Sequence, residues 1–161
     1  MADLIAFHVG GRLGKIVPLR LRPGTDLLEG IKHVCLEQGI KHGAVLSGIG
    51  SLHELSFQVL VPKPDDLKVG AGYGSPQVVP GPVEIASLQG VIFQSEKGET
   101  LLHVHGTFSD QFGKVYAGHV VAGANPILVT LDGLMAEVAD VRLIQRKETA
   151  VDRVLCTPEK D

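Results

Sequence analysis

The sequence predicts an α+β domain, in which a largely antiparallel sheet of about eight strands carries one helix. Apolar residues make up 44% of the chain but aromatic residues only 4%, which favours an aliphatic, β-rich core. Only one stretch combines helical spacing of apolar residues with signals for both helix ends. The other apolar stretches are short, and glycine, proline and other turn residues separate them. Short connections between strands favour antiparallel pairing.

The length of 161 residues suits one domain with a proper core. We expect this domain to span residues 1–146 and to be followed by a polar C-terminal tail, residues 147–161, of which residues 149–161 fray. Cys35 falls on the predicted helix and Cys156 in the tail, so no structural disulfide is expected. The chain shows no signal peptide and no apolar run of membrane-spanning length, which predicts a cytoplasmic protein without a membrane partner.

The N-terminal part predicts two strands and then the helix. The strands are expected at residues 4–9 and 15–22, with a glycine-rich turn at 10–14. Asp26 and Glu29 have the spacing of a capping box, and Gly39 suits the C-terminal cap. Between these caps, apolar residues recur at the spacing of one buried helix face. They are Leu27, Leu28, Ile31, Val34 and Cys35.

The middle of the chain predicts further strands and one irregular segment. Strands are expected at 44–52, 55–61, 83–94, 127–129 and 138–146. Residues 62–82 contain five prolines and four glycines, which predicts a long loop acting as a lid or as an arm over a neighbouring molecule.

Three of the seven histidines fall in one predicted β-hairpin. His103 and His105 alternate along a strand, so they point to the same face of the sheet. Residues 110–113 have the chemistry of a type I turn closed by a left-handed glycine, and this turn would pair Asp110 with Lys114. The same register places His105 opposite His119. All three imidazoles then share one face.

Three imidazoles converging from two adjacent strands predict a zinc site with an open fourth position. Directly opposed Cβ atoms lie about 4.5–5.5 Å apart, and a Zn–N bond is about 2.0–2.1 Å, so the rings can reach a shared ion. The alternative is that these are ordinary half-exposed histidines of a sheet surface.

A basic cluster near the N-terminus bears on nucleic-acid binding. The formal net charge of −3 argues against strong nonspecific binding to nucleic acid. Four basic residues nevertheless lie between residues 4 and 25 with no acidic residue among them. They are Arg12, Lys15, Arg20 and Arg22. They form either a phosphate-binding surface or the solvated face of an edge strand.

Four motifs in their order along the chain resemble the plants-and-prokaryotes conserved (PPC) domain, which also occurs in plant AT-hook nuclear proteins. They are Pro-Gly-Thr-Asp-Leu-Leu at 23–28, Leu-Ser-Gly-Ile-Gly-Ser-Leu at 46–52, Val-Glu-Ile-Ala-Ser-Leu-Gln-Gly at 83–90, and the histidine pair with Gly118-His119. The resemblance implies a mainly antiparallel fold, a homotrimer, and a metal ion, zinc, at His103, His105 and His119. Plant members contact DNA through the AT-hook, and this chain has no Arg-Gly-Arg-Pro hook.

Three functions are compatible with these observations. The first is a zinc-binding, homotrimeric module that binds a small ligand or a partner at the three-histidine site. The second is a small zinc-dependent hydrolase, whose general base would be Glu84, or, less favoured because it opens a turn, Asp110. The third is a DNA-binding regulator that uses the N-terminal basic cluster, repeated in the trimer.

Overall fold

The computed structural model describes residues 6–161, which form a single domain of ten strands and one helix. The helix is α1 (Leu27–Gln38). The strands are β1 (Arg12–Leu21), β2 (Gly43–Gln58), β3 (Leu60–Pro62), β4 (Ala71–Tyr73), β5 (Gln77–Gln94), β6 (Thr100–Asp110), β7 (Val115–Val120), β8 (Ile127–Ala139), β9 (Val141–Glu148) and β10 (Arg153–Lys160). The predicted α+β class is confirmed.

Eight strands form one sheet in the order β1-β8-β2-β7-β6-β5-β9-β10, and β3 pairs with β4 alone. All pairings are antiparallel except a single parallel bridge between β5 and β9. The long strands β2 and β5 also pair with each other, so β2, β7, β6 and β5 close into a ring. Within this ring, the histidine hairpin formed by β6 and β7 is flanked by β5 on one side and by β2 on the other.

Helix α1 has the caps and the buried face that its sequence predicts. The carboxylate of Asp26 accepts hydrogen bonds from the backbone N–H groups of Leu28 and Glu29, and Gly39 ends the helix at φ 68°. Leu27, Ile31 and Cys35 are fully buried, while Val34 is partly buried against the same core. Burying this face against the sheet stabilises the helix more than its intrinsic propensity does.

The N-terminal prediction is partly wrong. Residues 6–11 form no strand, and residues 4 and 5 lie outside the described part of the chain. Phe7 is 64% exposed, and no strand within residues 6–161 pairs with its segment. The expected turn at 10–14 instead contributes to β1, because Arg12 already pairs with Ala139 of β8.

Two segments predicted to be irregular are ordered. Within residues 62–82, β4 folds back on β3, and β5 begins at Gln77, because this part of β5 pairs with the end of β2. Residues 149–161, expected to fray, contain β10, which pairs along its whole length with β9. We call residues 60–74 the arm and residues 141–160 the C-terminal hairpin.

Helix α1 has 12 residues, and no helix in residues 6–161 is long and apolar enough to cross a membrane.

Candidate metal centre

The histidine hairpin has the register predicted from its turn. His105 pairs with His119 and Gly106 with Gly118 across β6 and β7. The N–H of Asp110 donates to the carbonyl of Lys114, and Gly113 has the left-handed φ of 78°. The local turn chemistry therefore fixes which side chains face each other at the other end of the hairpin.

Strand alternation puts the three imidazoles on one face of the sheet. Val104, between the two histidines of β6, is fully buried in the core, whereas His103 and His105 are exposed on the opposite face. His119 lies half-buried beside them. The site is thus on the sheet face that does not pack on the core.

The three rings converge closely enough to bind one ion. One ring nitrogen from each histidine lies within 4.8 Å of the other two. The Nε2 atoms of His103 and His105 are 3.0 Å apart. The ring centroids of the three pairs are separated by 4.9, 5.1 and 5.4 Å. We call these residues the histidine trio.

The surroundings keep two rings of the trio, His103 and His119, neutral near pH 7. Burial, with smaller contributions from His103 and His105, lowers the pKa of His119 from its ordinary value to about 4. Burial, followed by the proximity of His105, also lowers the pKa of His103. Metal ions bind the neutral imidazole through its free lone pair, so both rings are ready to act as ligands.

One nitrogen of the trio lacks a partner. His119 Nδ1 is buried and makes no hydrogen bond within residues 6–161. A buried polar atom without a partner costs about 1–3 kcal/mol, and native proteins rarely keep one without a reason. The nitrogen donor set and this missing interaction both fit a borderline-soft ion such as zinc.

Tyr73, on β4 of the arm, completes the surroundings of the trio. Its hydroxyl lies 3.3 Å from Nε2 of His103 and 3.3 Å from Nε2 of His105. Its ring stacks on His119, with centroids 4.6 Å apart. The sequence analysis missed Tyr73, since its only signal was its position in the proline- and glycine-rich segment.

The carboxylates considered as a general base lie outside the trio. Glu84 of β5 is exposed and pairs with Ser109, whereas Gln89, five residues further along β5, pairs with His105. At about 3.3 Å per residue, this places Glu84 roughly 16 Å along the strand from the trio. The structure therefore does not bring Glu84 to the histidines.

Asp110 has a structural role in the hairpin turn. Its carboxylate accepts hydrogen bonds from the N–H groups of Phe112 and Lys114 and from the hydroxyl of Tyr116.

The basic cluster is largely engaged in contacts within the chain. Arg12 pairs with Asp140, and the ammonium group of Lys15 donates to the carbonyl of Gln38 at the end of α1. Arg20 donates to the hydroxyl of Thr130. Arg22, just after β1, is exposed.

Solved structures of proteins from other organisms share this fold. A metal-containing protein from Archaeoglobus fulgidus has a TM-score of 0.77 at 20% identity, covering 95% of this chain and 99% of its own. A plant- and prokaryote-conserved protein from Pyrococcus horikoshii has a TM-score of 0.77 at 21% identity, covering 97% of this chain and 99% of its own. A candidate DNA-binding protein from Bacteroides thetaiotaomicron has a TM-score of 0.70 at 19% identity, covering 91% and 96%.

Sequence comparison adds a longer relative and the family. The bifunctional protein GlmU of a Synechococcus strain is 27% identical over 136 residues, 84% of this chain, but the chain spans only 19% of that relative's length. The family model described as the Plants and Prokaryotes Conserved (PCC) domain matches residues 8–139. This match confirms the resemblance to the PPC domain: the chain belongs to the Plants and Prokaryotes Conserved domain family.

Proposed function

We propose that this protein is a zinc-binding module, in which His103, His105 and His119 hold the ion and the open side of the site receives a small ligand or a partner. The observation that carries the proposal is the convergence of three ring nitrogens within 4.8 Å of one another. The metal-containing relative from Archaeoglobus fulgidus supports it.

Zinc fits this donor set better than a hard cation does. Three imidazoles supply nitrogen ligands, and zinc sites with three protein ligands keep the fourth position open. Calcium and magnesium prefer oxygen ligands, and within residues 6–161 no carboxylate joins the trio. When bound, zinc supplies Lewis acidity. The chain holds its three ligands on two hydrogen-bonded strands, which fixes their orientation.

The arrangement favours a binding module over a hydrolase. A general base must reach the reacting group within hydrogen-bond distance or through one water. Glu84 lies well along β5 from the trio, and the carboxylate of Asp110 is occupied by the hairpin turn. A role for Glu84 in hydrolysis stays a prediction, as does the cytoplasmic location.

We further propose that the chain assembles as a homotrimer. The adjacent strands β1, β8 and β2 carry large apolar side chains that are at least 46% exposed, which a second and third copy would cover. They are Leu13, Ile16, Leu46, Ile49 and Val129. Light scattering should give a mass of three times the 17.1 kDa of one chain. A mass of 17.1 kDa at micromolar concentration would contradict the trimer.

Zinc binding itself is tested by equilibrium dialysis. The untagged protein should bind zinc to a plateau of about one ion per chain, whereas a variant with all three histidines changed to alanine should bind none at the same free zinc concentration. Equal uptake by both proteins would place the ion elsewhere and overturn the proposal.

DNA binding is a second candidate, supported by the DNA-binding candidate among the structural relatives. The case for DNA binding is weakened because Arg12, Lys15 and Arg20 already contact other groups within the chain. Fluorescence anisotropy of a labelled DNA duplex, measured first at low salt and then at rising salt concentration, tests DNA binding. A dissociation constant that rises steeply with salt concentration would support DNA binding. No binding at low salt would rule out this second candidate function.

A further inference from the structure

Tyr73 places a hydroxyl at the point where the two histidines of β6 present their nitrogens. The hydroxyl is equidistant, at 3.3 Å, from Nε2 of His103 and Nε2 of His105. In a neutral imidazole one ring nitrogen carries a hydrogen and the other can only accept a hydrogen bond, so the phenol can donate to an Nε2 that is bare. The phenol therefore has an acceptor here only while a histidine lone pair is free.

The arm that carries Tyr73 is fixed at both ends. At its base, Gln58 donates to the carbonyl of Gly74 at 2.8 Å, and Gly74 donates to Val59 at 3.0 Å. At its tip, Arg153 of the C-terminal hairpin forms an ion pair with Asp66. Arg153 also donates to the carbonyl of Ala71, two residues before Tyr73.

These tip contacts come from a part of the chain that the family match does not include. The match ends at residue 139, and the C-terminal hairpin begins at residue 141. Lys68 adds a further link by donating to the carbonyl of Thr149 at 2.6 Å. The position of Tyr73 thus depends on contacts made by a segment beyond the family match.

A cavity adjoins Tyr73 on the arm, although no histidine of the trio lines it. An open cavity of about 700 Å³ lies between the arm and the C-terminal hairpin, and Tyr73 forms part of its wall together with Lys63 and Lys68. Three acidic residues also line it, but Asp66 is paired with Arg153 and Asp152 with Lys147, which leaves Asp65.

We infer that Tyr73 is a ligand-binding residue of this site, which donates its hydroxyl hydrogen to an anionic oxygen of a small ligand, of the carboxylate class, bound at the trio. The inference rests on the proposed zinc site. An ion that took up the histidine lone pairs would leave the hydroxyl without these acceptors and free to donate to a ligand. Three neutral imidazoles leave the charge of a divalent ion uncompensated, which favours an anionic ligand.

The test uses cobalt-substituted protein and acetate as the probe, because the visible absorption of cobalt(II) responds to a new ligand. Acetate affinity is measured for the wild type, for Tyr73→Phe and for Tyr116→Phe. The chain has two tyrosines, and Tyr116 donates to Asp110 rather than to the trio, which makes it the matched control. A lost hydrogen bond to a charged group should weaken acetate binding to Tyr73→Phe about tenfold, while Tyr116→Phe should match the wild type.

Arg153→Gln tests the fixing of the arm. It should keep full cobalt content but bind acetate more weakly than the wild type does, whereas Arg12→Gln, which breaks the ion pair with Asp140, should change neither property. Acetate affinity equal in the wild type, Tyr73→Phe and Arg153→Gln would overturn the inference, as would a wild-type spectrum that does not respond to acetate. A wild-type protein that takes up neither zinc nor cobalt would instead refute the proposed zinc site.

Discussion

His105 and His119 stand directly opposite each other across β6 and β7, one residue pair away from the glycine pair Gly106 and Gly118. With His103 two residues earlier on β6, the whole trio belongs to a single hairpin. A turn of a few residues therefore determines whether the site exists, since a slip of one residue would send His119 to the other face.

Removing one histidine should abolish tight zinc binding. His105→Ala removes the ligand at the centre of the trio and leaves two imidazoles, too few for a tight zinc site in this donor set. The measurement is zinc titration against a competing chelator. The control is His33→Ala, an exposed histidine of α1 that lies 3.3 Å from Glu37. Full occupancy in His105→Ala would show that the ligand set is wrong.

Chelation should lower thermal stability. An ion that binds only the folded chain stabilises it by about 2.7 kcal/mol when its free concentration is a hundred times its dissociation constant. We expect the melting temperature of the wild type to fall on addition of a chelator and to recover with zinc. In His105→Ala the same additions should have no effect, and an unchanged wild-type melting temperature would argue against a folded-state metal site.

The backbone contact at Gly118 should be intolerant of a side chain. A Cβ atom there would lie 2.5 Å from the carbonyl oxygen of Gln58 and 2.8 Å from the ring of Phe57. Gly118→Ala should therefore cost about 1–3 kcal/mol of unfolding free energy and weaken zinc binding by displacing His119. Gly10→Ala is the control, because a Cβ at Gly10 meets nothing within 4 Å. In urea unfolding, Gly118→Ala should be less stable than Gly10→Ala. Equal stability of the two variants would contradict the close approach of Gly118 to the Gln58 backbone.

Asn125 should be essential for the loop before β8. It is completely buried, accepts from the N–H of Ser56 and donates to the carbonyls of Ser56 and Val121. Asn125→Ala removes the partner of the Ser56 N–H and of the Val121 carbonyl, while the Ser56 carbonyl still accepts from the N–H of Val121. We therefore expect a loss of about 3 kcal/mol in urea unfolding. A loss below 1 kcal/mol would mean that water replaces the amide without cost.

His42 should make stability depend on pH. Burial lowers the pKa of His42 in the folded chain, and its Nδ1 accepts a hydrogen bond from the N–H of Leu143. Between the folded pKa and the unfolded value of about 6.5, the unfolded chain binds more protons, so stability should fall as the pH drops below 6.5.

The comparison that isolates this effect is with His42→Asn, which keeps an acceptor but does not titrate. Both proteins are measured with chelator present, because metal binding by histidines depends on pH and would affect both of them. The wild type should lose more unfolding free energy than His42→Asn between pH 7.5 and pH 5.5. Parallel pH profiles would show that His42 does not contribute.

Local chemistry explains which elements could be predicted from the sequence. Helix α1 and the histidine hairpin are set by local signals. The cap residues Asp26 and Gly39, with the apolar spacing between them, predicted the helix, and Asp110 and Gly113 predicted the hairpin turn. The clustering of the trio followed from the predicted register.

The arm and the C-terminal hairpin could not be predicted in the same way. Arg153 and Asp66 are 87 residues apart, and Tyr73 lies 30 residues from His103, so no local pattern links them. Proline and glycine suggested a loop at residues 62–82, but long-range pairing with β2 turned its last part into strand.

The most direct measurement is elemental analysis of the untagged protein as purified and again after incubation with zinc and removal of the excess. We predict about one zinc per chain in at least the second sample, and none in His105→Ala treated identically. A zinc content near zero in the wild type, even after zinc is supplied, would contradict the metal centre and leave the three histidines as residues of the sheet surface.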